Sequence, residues 1–215
     1  MHHSGMDAEY RQGEHICSLY ETEAEQLAVA ADYLADGLRA GERVFYVAES
    51  QEAIQRFRDA LKAVGIDAAA RAQRGALVES THAEAHLANG SFDSERMLGL
   101  LNEALENALN DGFSGLRTCG DMSWLLLEPP GAEQVVEYEA HLNSFFHGVR
   151  GAGMCQYHRS RLPEHLIDHA LTTHPSVIVD ARHKPNPYYR SPELAVGRAA
   201  NPDGVRFKLG ELRQA

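Results

Sequence analysis

Short apolar runs alternate along this chain with longer stretches whose apolar positions recur at intervals of three and four. His15 to Leu19 (HICSL) is the first run. Thr22-Glu23-Ala24-Glu25 behind it has the form of a capping box, and Leu27, Ala31, Leu34 and Leu38 then follow at helical spacing until Gly41. Val44 to Ala48 (VFYVA) reads as a strand buried on both faces, and Ile54, Phe57, Leu61 and Val64 mark the next helix, closed by Gly65. Further strands are predicted near Ala76 to Glu79 and at Leu116 to Cys119, Met154 to Tyr157 and Val177 to Val179. The intervening helices turn Met97, Leu101 and Leu105 inward, run from about Ala132 to Val149, and place Leu166, Ile167 and Leu171 behind Pro163. Six strands alternating with five helices predict right-handed crossovers and a mainly parallel sheet covered on both faces. The expected fold is a three-layer αβα domain over about residues 13–180. Beyond it, KPNPYYRSPELAVGRAANPDG is rich in Pro and Gly, and the tail over residues 190–215 is expected to be irregular.

Composition narrows the function. At 44% hydrophobic and 24% charged, the 215 residues have the make-up of an ordinary soluble globular protein. A formal net charge of −11 without a Lys/Arg cluster argues against broad contact with nucleic-acid phosphates. No apolar run approaches the ~18 residues of a membrane span, and the opening MHHSGMDAEYRQGEH lacks a signal-peptide core, so a cytoplasmic location is expected. His2 and His3 are set aside as a tag remnant. Cys17, Cys119 and Cys155 are too few, and odd in number, for a disulfide framework, and read as reduced thiols.

Ligands of open α/β sheets bind beyond the carboxyl ends of the strands. That rim gathers Tyr20 and Glu21, Glu49 and Ser50, Gly120 to Trp124, and Gln156 to His158. Trp124, the single tryptophan, is either a flat wall of a ligand site or core packing under a long loop. The turn after the first strand, LYETEAEQ, has neither the glycines nor the lysine of GxxxxGK[ST], and its three glutamates oppose a phosphate at the helix start, which argues against ATP binding there. His15-x-Cys17 and Cys155-x-x-His158 together offer two thiolates and two imidazoles, a set suited to zinc, although buried thiols in parallel strands are commonly plain apolar packing. Cys119 stands beside Asp121, whose charge raises a thiol pKa, and no nucleophile elbow is present, so nucleophilic catalysis is not expected.

The ordered set GEHICSLY, GLRAGERVFYVAE, GLRTCGDMSW, YEAHLN, MCQYH and HPSVIV with NPYY resembles the MEDS domain family, the methanogen/methylotroph DcmR sensory domain, over residues 13–189. The resemblance implies a RecA/KaiC-like P-loop NTPase fold with a degenerate phosphate-binding loop. It also implies a non-catalytic sensory module for a small, hydrocarbon-derived or other organic ligand, regulating a transcription factor or histidine kinase. Matching positions are His15, Cys17, Tyr20, Arg117, Asp121, Met122, Trp124, Glu139, Cys155, Gln156 and Tyr157. Asp121 stands where the family more often has Glu, and His158 where an acid is usual. The expected ligand site is therefore Tyr20, Arg117, Asp121, Trp124, Glu139, Gln156 and Tyr157, with no cofactor. The alternatives are a residual nucleotide-binding regulator, or a zinc, haem or thiol redox sensor using Cys17, Cys119 and Cys155, with His15, Cys17, Cys155 and His158 as metal ligands. The expected partner is a regulatory protein or a second copy of the chain, without direct contact to nucleic acid or membrane.

Overall fold

In the computed structural model, which describes residues 10–196, 201 and 204–214, the apolar runs become strands that bury side chains on both faces. They are β1 (His15–Tyr20), β2 (Arg43–Ala48), β3 (Leu77–Thr81), β4 (Leu116–Asp121), β5 (Gly151–His158) and β6 (Ser176–Val179). A further strand, β7 (Arg182–Pro185), pairs antiparallel with β6, and the sheet runs β3-β2-β4-β5-β1-β6-β7 with every other pairing parallel. The helices are α1 (Glu23–Arg39), α2 (Gln51–Ala63), α3 (Ala68–Gln73), α4 (Ser94–Asn110), α5 (Val135–Phe146), α6 (Glu164–Thr173), α7 (Pro192–Ala195) and α8 (Val205–Gln214). This is the predicted three-layer αβα architecture with a mainly parallel sheet.

Successive strand residues point to opposite faces, so each strand feeds two cores. Ile16, Val44, Tyr46, Cys119, Met154 and Ile178 pack with α1 and α2. Cys17, Leu19, Val47, Leu116, Cys155 and Tyr157 pack with α4, α5 and α6. The two faces matter below, because they separate residues that are neighbours in sequence.

The tail departs from expectation: α8 forms over residues 205–214, and β7 precedes it. Both are short and polar, with no apolar run to announce them, and tertiary contacts fix them. Lys208 forms an ion pair with the fully buried Asp168 of α6, Lys184 of β7 donates to the Leu212 carbonyl, and Val205 and Leu212 join the α6-side core. His2 and His3 lie outside the described residues.

Candidate functional site

The residues nominated from the sequence fall into four separate settings. Arg117, the second residue of β4, lies at the amino end of the strand, away from the rim. Its guanidinium donates to Glu42 at 2.6 Å, to Asp36 at 2.7 Å and to the Tyr33 carbonyl at 3.2 Å, beneath α1. It pairs with neither Asp121 nor anything near Trp124. Position along the strand is the reason, since four residues of β-rise separate Arg117 from Asp121 by roughly 13 Å.

Asp121 ends β4 on the α1 face. Its carboxylate accepts from the Tyr20 hydroxyl at 3.2 Å, the Ser123 backbone N–H at 3.1 Å and the Ser123 hydroxyl at 2.6 Å, with His82 Nε2 at 3.5 Å. Burial and the Asp121 charge push the Tyr20 phenol well above its usual range. Gln156 faces the same side and donates to the Gln26 carbonyl of α1, while its buried Oε1 makes no hydrogen bond. His158 stands over Tyr20, ring centroids 5.0 Å apart. Its place at the far end of β5 removes it from His15 and Cys155, so the metal set nominated from the sequence does not form.

The opposite face holds a different cluster. Glu139 of α5 is buried, with Oε2 3.1 Å from His15 Nε2, 3.2 Å from His174 Nε2 and 3.5 Å from Cys155 Sγ, and Oε1 accepts from the Tyr157 hydroxyl at 2.7 Å. Tyr157 thus points into the interior instead of to the rim. His15, Glu139, Cys155 and His174 offer donor atoms that all lie within 4.8 Å of one another, the geometry of a metal-binding group. Cys17 lies on the same face of β1 as His15 but outside this set. The sequence reading nominated His15 and Cys155 of this group and did not include His174, which precedes Pro175 at the amino end of β6. Glu139 was nominated only for a ligand, and what links it to the histidines is the packing of α5 on β1.

Trp124 lies in a short 3-10 turn (Ser123–Leu127) after β4, packed on the α4/α5 face between His86 and Phe92 at ring separations of 5.4 and 4.7 Å. Beside it is a narrow crevice of about 30 Å³ between the sheet and α4 and α5, walled by Val47, Gly120, Cys155, Met97, Tyr138 and His86 among others. None of the seven nominated residues lines it directly; Trp124 reaches it through His86. His86 Nδ1 and Trp124 Nε1 are buried without a hydrogen-bond partner. Burial, with His82 adding a like-charge contribution, holds the His86 pKa down to about 3, so this wall is neutral. No periodic signal marks His82 or His86, which sit in the loop after β3.

In the first turn, two backbone amides are taken by side chains of the turn itself. Thr22 Oγ1 accepts from the Glu25 N–H at 3.2 Å, the capping bond expected from the sequence, while the Glu25 carboxylate accepts from the Glu21 N–H at 2.8 Å, one residue ahead of the cap.

A mainly parallel sheet covered by helices on both faces, with a first turn that lacks the glycines and lysine of a phosphate loop, defines a three-layer α/β domain. The profile of the MEDS family, the methanogen/methylotroph, DcmR sensory domain, matches residues 14–175, and the chain belongs to that family. It is 29% identical over 155 residues to the transcriptional repressor DcmR of Methylorubrum extorquens, across 72% of this chain and 54% of the repressor, so it spans about half of that relative. Its fold is similar to that of a KaiC-like protein from the archaeon Pyrococcus horikoshii, with a TM-score of 0.53 at 14% identity over 79% of this chain and 72% of the other. The role that follows is sensory or regulatory. Among the described residues, no helix is long and apolar enough to cross a membrane.

Proposed function

We propose that this domain is a non-catalytic sensor that admits a very small organic molecule to the crevice on the α4/α5 face and passes the change to a regulatory partner. The observation that carries this reading is the pairing of an apolar crevice with His86, whose buried Nδ1 has no hydrogen-bond partner. Apolar walls with one or two unspent polar atoms are the usual make-up of a small-molecule site. A free volume of about 30 Å³ sets the size class: it takes a group of one or two heavy atoms before the walls must move. The turn that carries Trp124 inward carries Leu127 outward, 71% exposed, so displacement at the crevice is available to a partner at the surface. The DcmR relative is named a transcriptional repressor, which supports a transcriptional regulator as that partner, on another chain or beside a second copy of this one.

Trp124 is the single tryptophan, so its fluorescence reports on this wall alone. Titration with one- to three-carbon alcohols, amines, thiols and halocarbons is expected to give a saturable change with at least one class. Gly120→Ala is expected to abolish that change in a folded protein, since its Cβ would stand 3.4 Å from His86 Cε1, in ordinary contact, and fill the crevice. No saturable change with any class, or an equal response in Gly120→Ala, would overturn the reading. Mg-ATP is expected to leave the melting temperature unchanged; a rise abolished by substitutions in the first turn would favour a nucleotide-binding regulator.

A further inference from the structure

Four elements meet at the Glu139 carboxylate, and the Nδ1 atoms of the two neighbouring histidines are held as donors from behind. Asn143 spends its side-chain N–H groups on the carbonyls of Glu139, Ala140 and Thr173, so its Oδ1, 3.2 Å from His15 Nδ1, is an acceptor and that nitrogen carries a proton. His174 Nδ1 lies 2.8 Å from the Ala170 carbonyl, which only accepts, so it is protonated as well. Both imidazoles therefore turn Nε2 toward Glu139 Oε2. In their neutral forms those atoms are lone pairs facing a carboxylate oxygen at 3.1 and 3.2 Å, and His174 Nε2 is a buried atom without a hydrogen bond. A cation between them removes the conflict.

Four of the edges fit a tetrahedral ion of zinc's size, and the two from His174 Nε2 to His15 Nε2 and Cys155 Sγ lie within 4.8 Å. With Zn–N and Zn–O bonds near 2.0–2.1 Å and Zn–S near 2.3 Å, the edges of a tetrahedron are roughly 3.3 Å from N to O and about 3.5 Å from S to N or O. The observed N–O distances are 3.1 and 3.2 Å, the S–O distance is 3.5 Å and the S to His15 Nε2 distance is 3.7 Å. We infer that His15 Nε2, Glu139 Oε2, Cys155 Sγ and His174 Nε2 form a closed tetrahedral site for zinc. One carboxylate, one thiolate and two neutral imidazoles balance the ion's charge, which burial requires. Each outer contact expected of a zinc site is present: Asn143 and the Ala170 carbonyl orient the histidines, and Tyr157 holds the free carboxylate oxygen. Four protein ligands leave no open position, so the ion is structural, tying α5 and the residue after α6 to β1 and β5. A porphyrin does not fit, because the space adjoining Cys155 is only about 30 Å³. The site shares Cys155 with the crevice wall, but the inference does not require the crevice to bind anything.

The test uses the whole chain, freed of metal by a chelator and titrated with cobalt(II) and with zinc(II). One equivalent of cobalt is expected to give the strong visible bands of a tetrahedral ion and a thiolate charge-transfer band, displaced by one equivalent of zinc. Cys155→Ser is expected to lose the charge-transfer band, while Cys17→Ser and Cys119→Ser keep it. Tyr157→Phe keeps every ligand and is expected to bind zinc about 10- to 100-fold more weakly, as loss of an outer-shell contact does. Absence of cobalt binding by the wild-type chain, octahedral spectra, or a charge-transfer band that survives Cys155→Ser would overturn the inference. Equal zinc affinity in Tyr157→Phe would do the same. Should Cys155→Ser fail to fold, the wild-type spectrum and the Tyr157→Phe affinity still decide.

Discussion

Gly37, in the last turn of α1, offers a test with opposite signs from two principles. Glycine inside a helix is about 1 kcal/mol less favourable than alanine, so Gly37→Ala ought to stabilise an isolated helix. Here a Cβ would stand 2.8 Å from Arg117 Nε, 2.8 Å from Glu42 Oε2 and 2.9 Å from Arg117 Cδ. Those atoms have little room to yield: the guanidinium is 2% exposed and held by Glu42, Asp36 and the Tyr33 carbonyl, while Glu42 also accepts from Gln12. Breaking a buried ion pair costs about 3–5 kcal/mol when a charge is left unpaired. Asp36 is half exposed and keeps part of the guanidinium's solvation, so the lower end applies. The net expectation is about 2 kcal/mol of destabilisation, a fall in melting temperature of roughly 4–8 °C for a domain of this size. Urea unfolding followed by circular dichroism measures it. In an Arg117→Val/Glu42→Ala background the obstruction is gone, and Gly37→Ala is expected to stabilise by about 1 kcal/mol. A stabilising or neutral Gly37→Ala in the wild-type background would refute the claim that Arg117 is locked under α1, and would reopen a ligand role for it.

Two further outcomes can be checked on the same instruments. The His86 pKa is lowered to about 3 by burial, against about 6.5 unfolded, so its contribution to stability is complete above pH 6.5 and is lost as pH falls toward 3, by up to about 1.4 kcal/mol per pH unit. His86→Leu is expected to flatten the stability profile in that window, and an unchanged slope would show that His86 is not held neutral. Lys208 of α8 pairs with the buried Asp168 of α6, which also accepts from the Asn201 N–H at 2.7 Å; Lys208→Met is expected to cost about 3 kcal/mol in urea unfolding, and a loss below about 0.5 kcal/mol would mean that α8 contributes little to the domain.

The fold was legible because its strands are short apolar runs and its crossover helices carry their apolar positions at the helical period, two signals that local sequence states without help from tertiary context. Helix α1 illustrates this: its cap, its inward residues and its end at Arg39 all follow from residues 22–41 alone. Helix α8 and strand β7 are the contrary case, since RHKP and VRFKLGELRQ become ordered through Lys184, Lys208 and Asp168, which sequence distance hides.

The site was less legible, for a reason that lies in the geometry of strands. Grouping residues by the strand end they approach treats a sheet as a line, but period two splits each rim between two faces. Gln156 and Tyr157 are adjacent in sequence, yet one donates to the Gln26 carbonyl under α1 and the other to Glu139 under α5. Tyr20, Asp121 and Gln156 therefore belong to one face, and Trp124, Glu139 and Tyr157 to the other. The same rule applied strictly to the cysteines and histidines would have kept His15, Cys17 and Cys155 together and excluded His158, whose register partner is Tyr20. It could not have supplied His174 or Glu139, because no strand period relates a helix face or the residue after α6 to β1. Those two join the group through the packing of α5 across β1 and β5, and that packing makes the buried face, more than the open rim, the part of this domain with unspent chemistry.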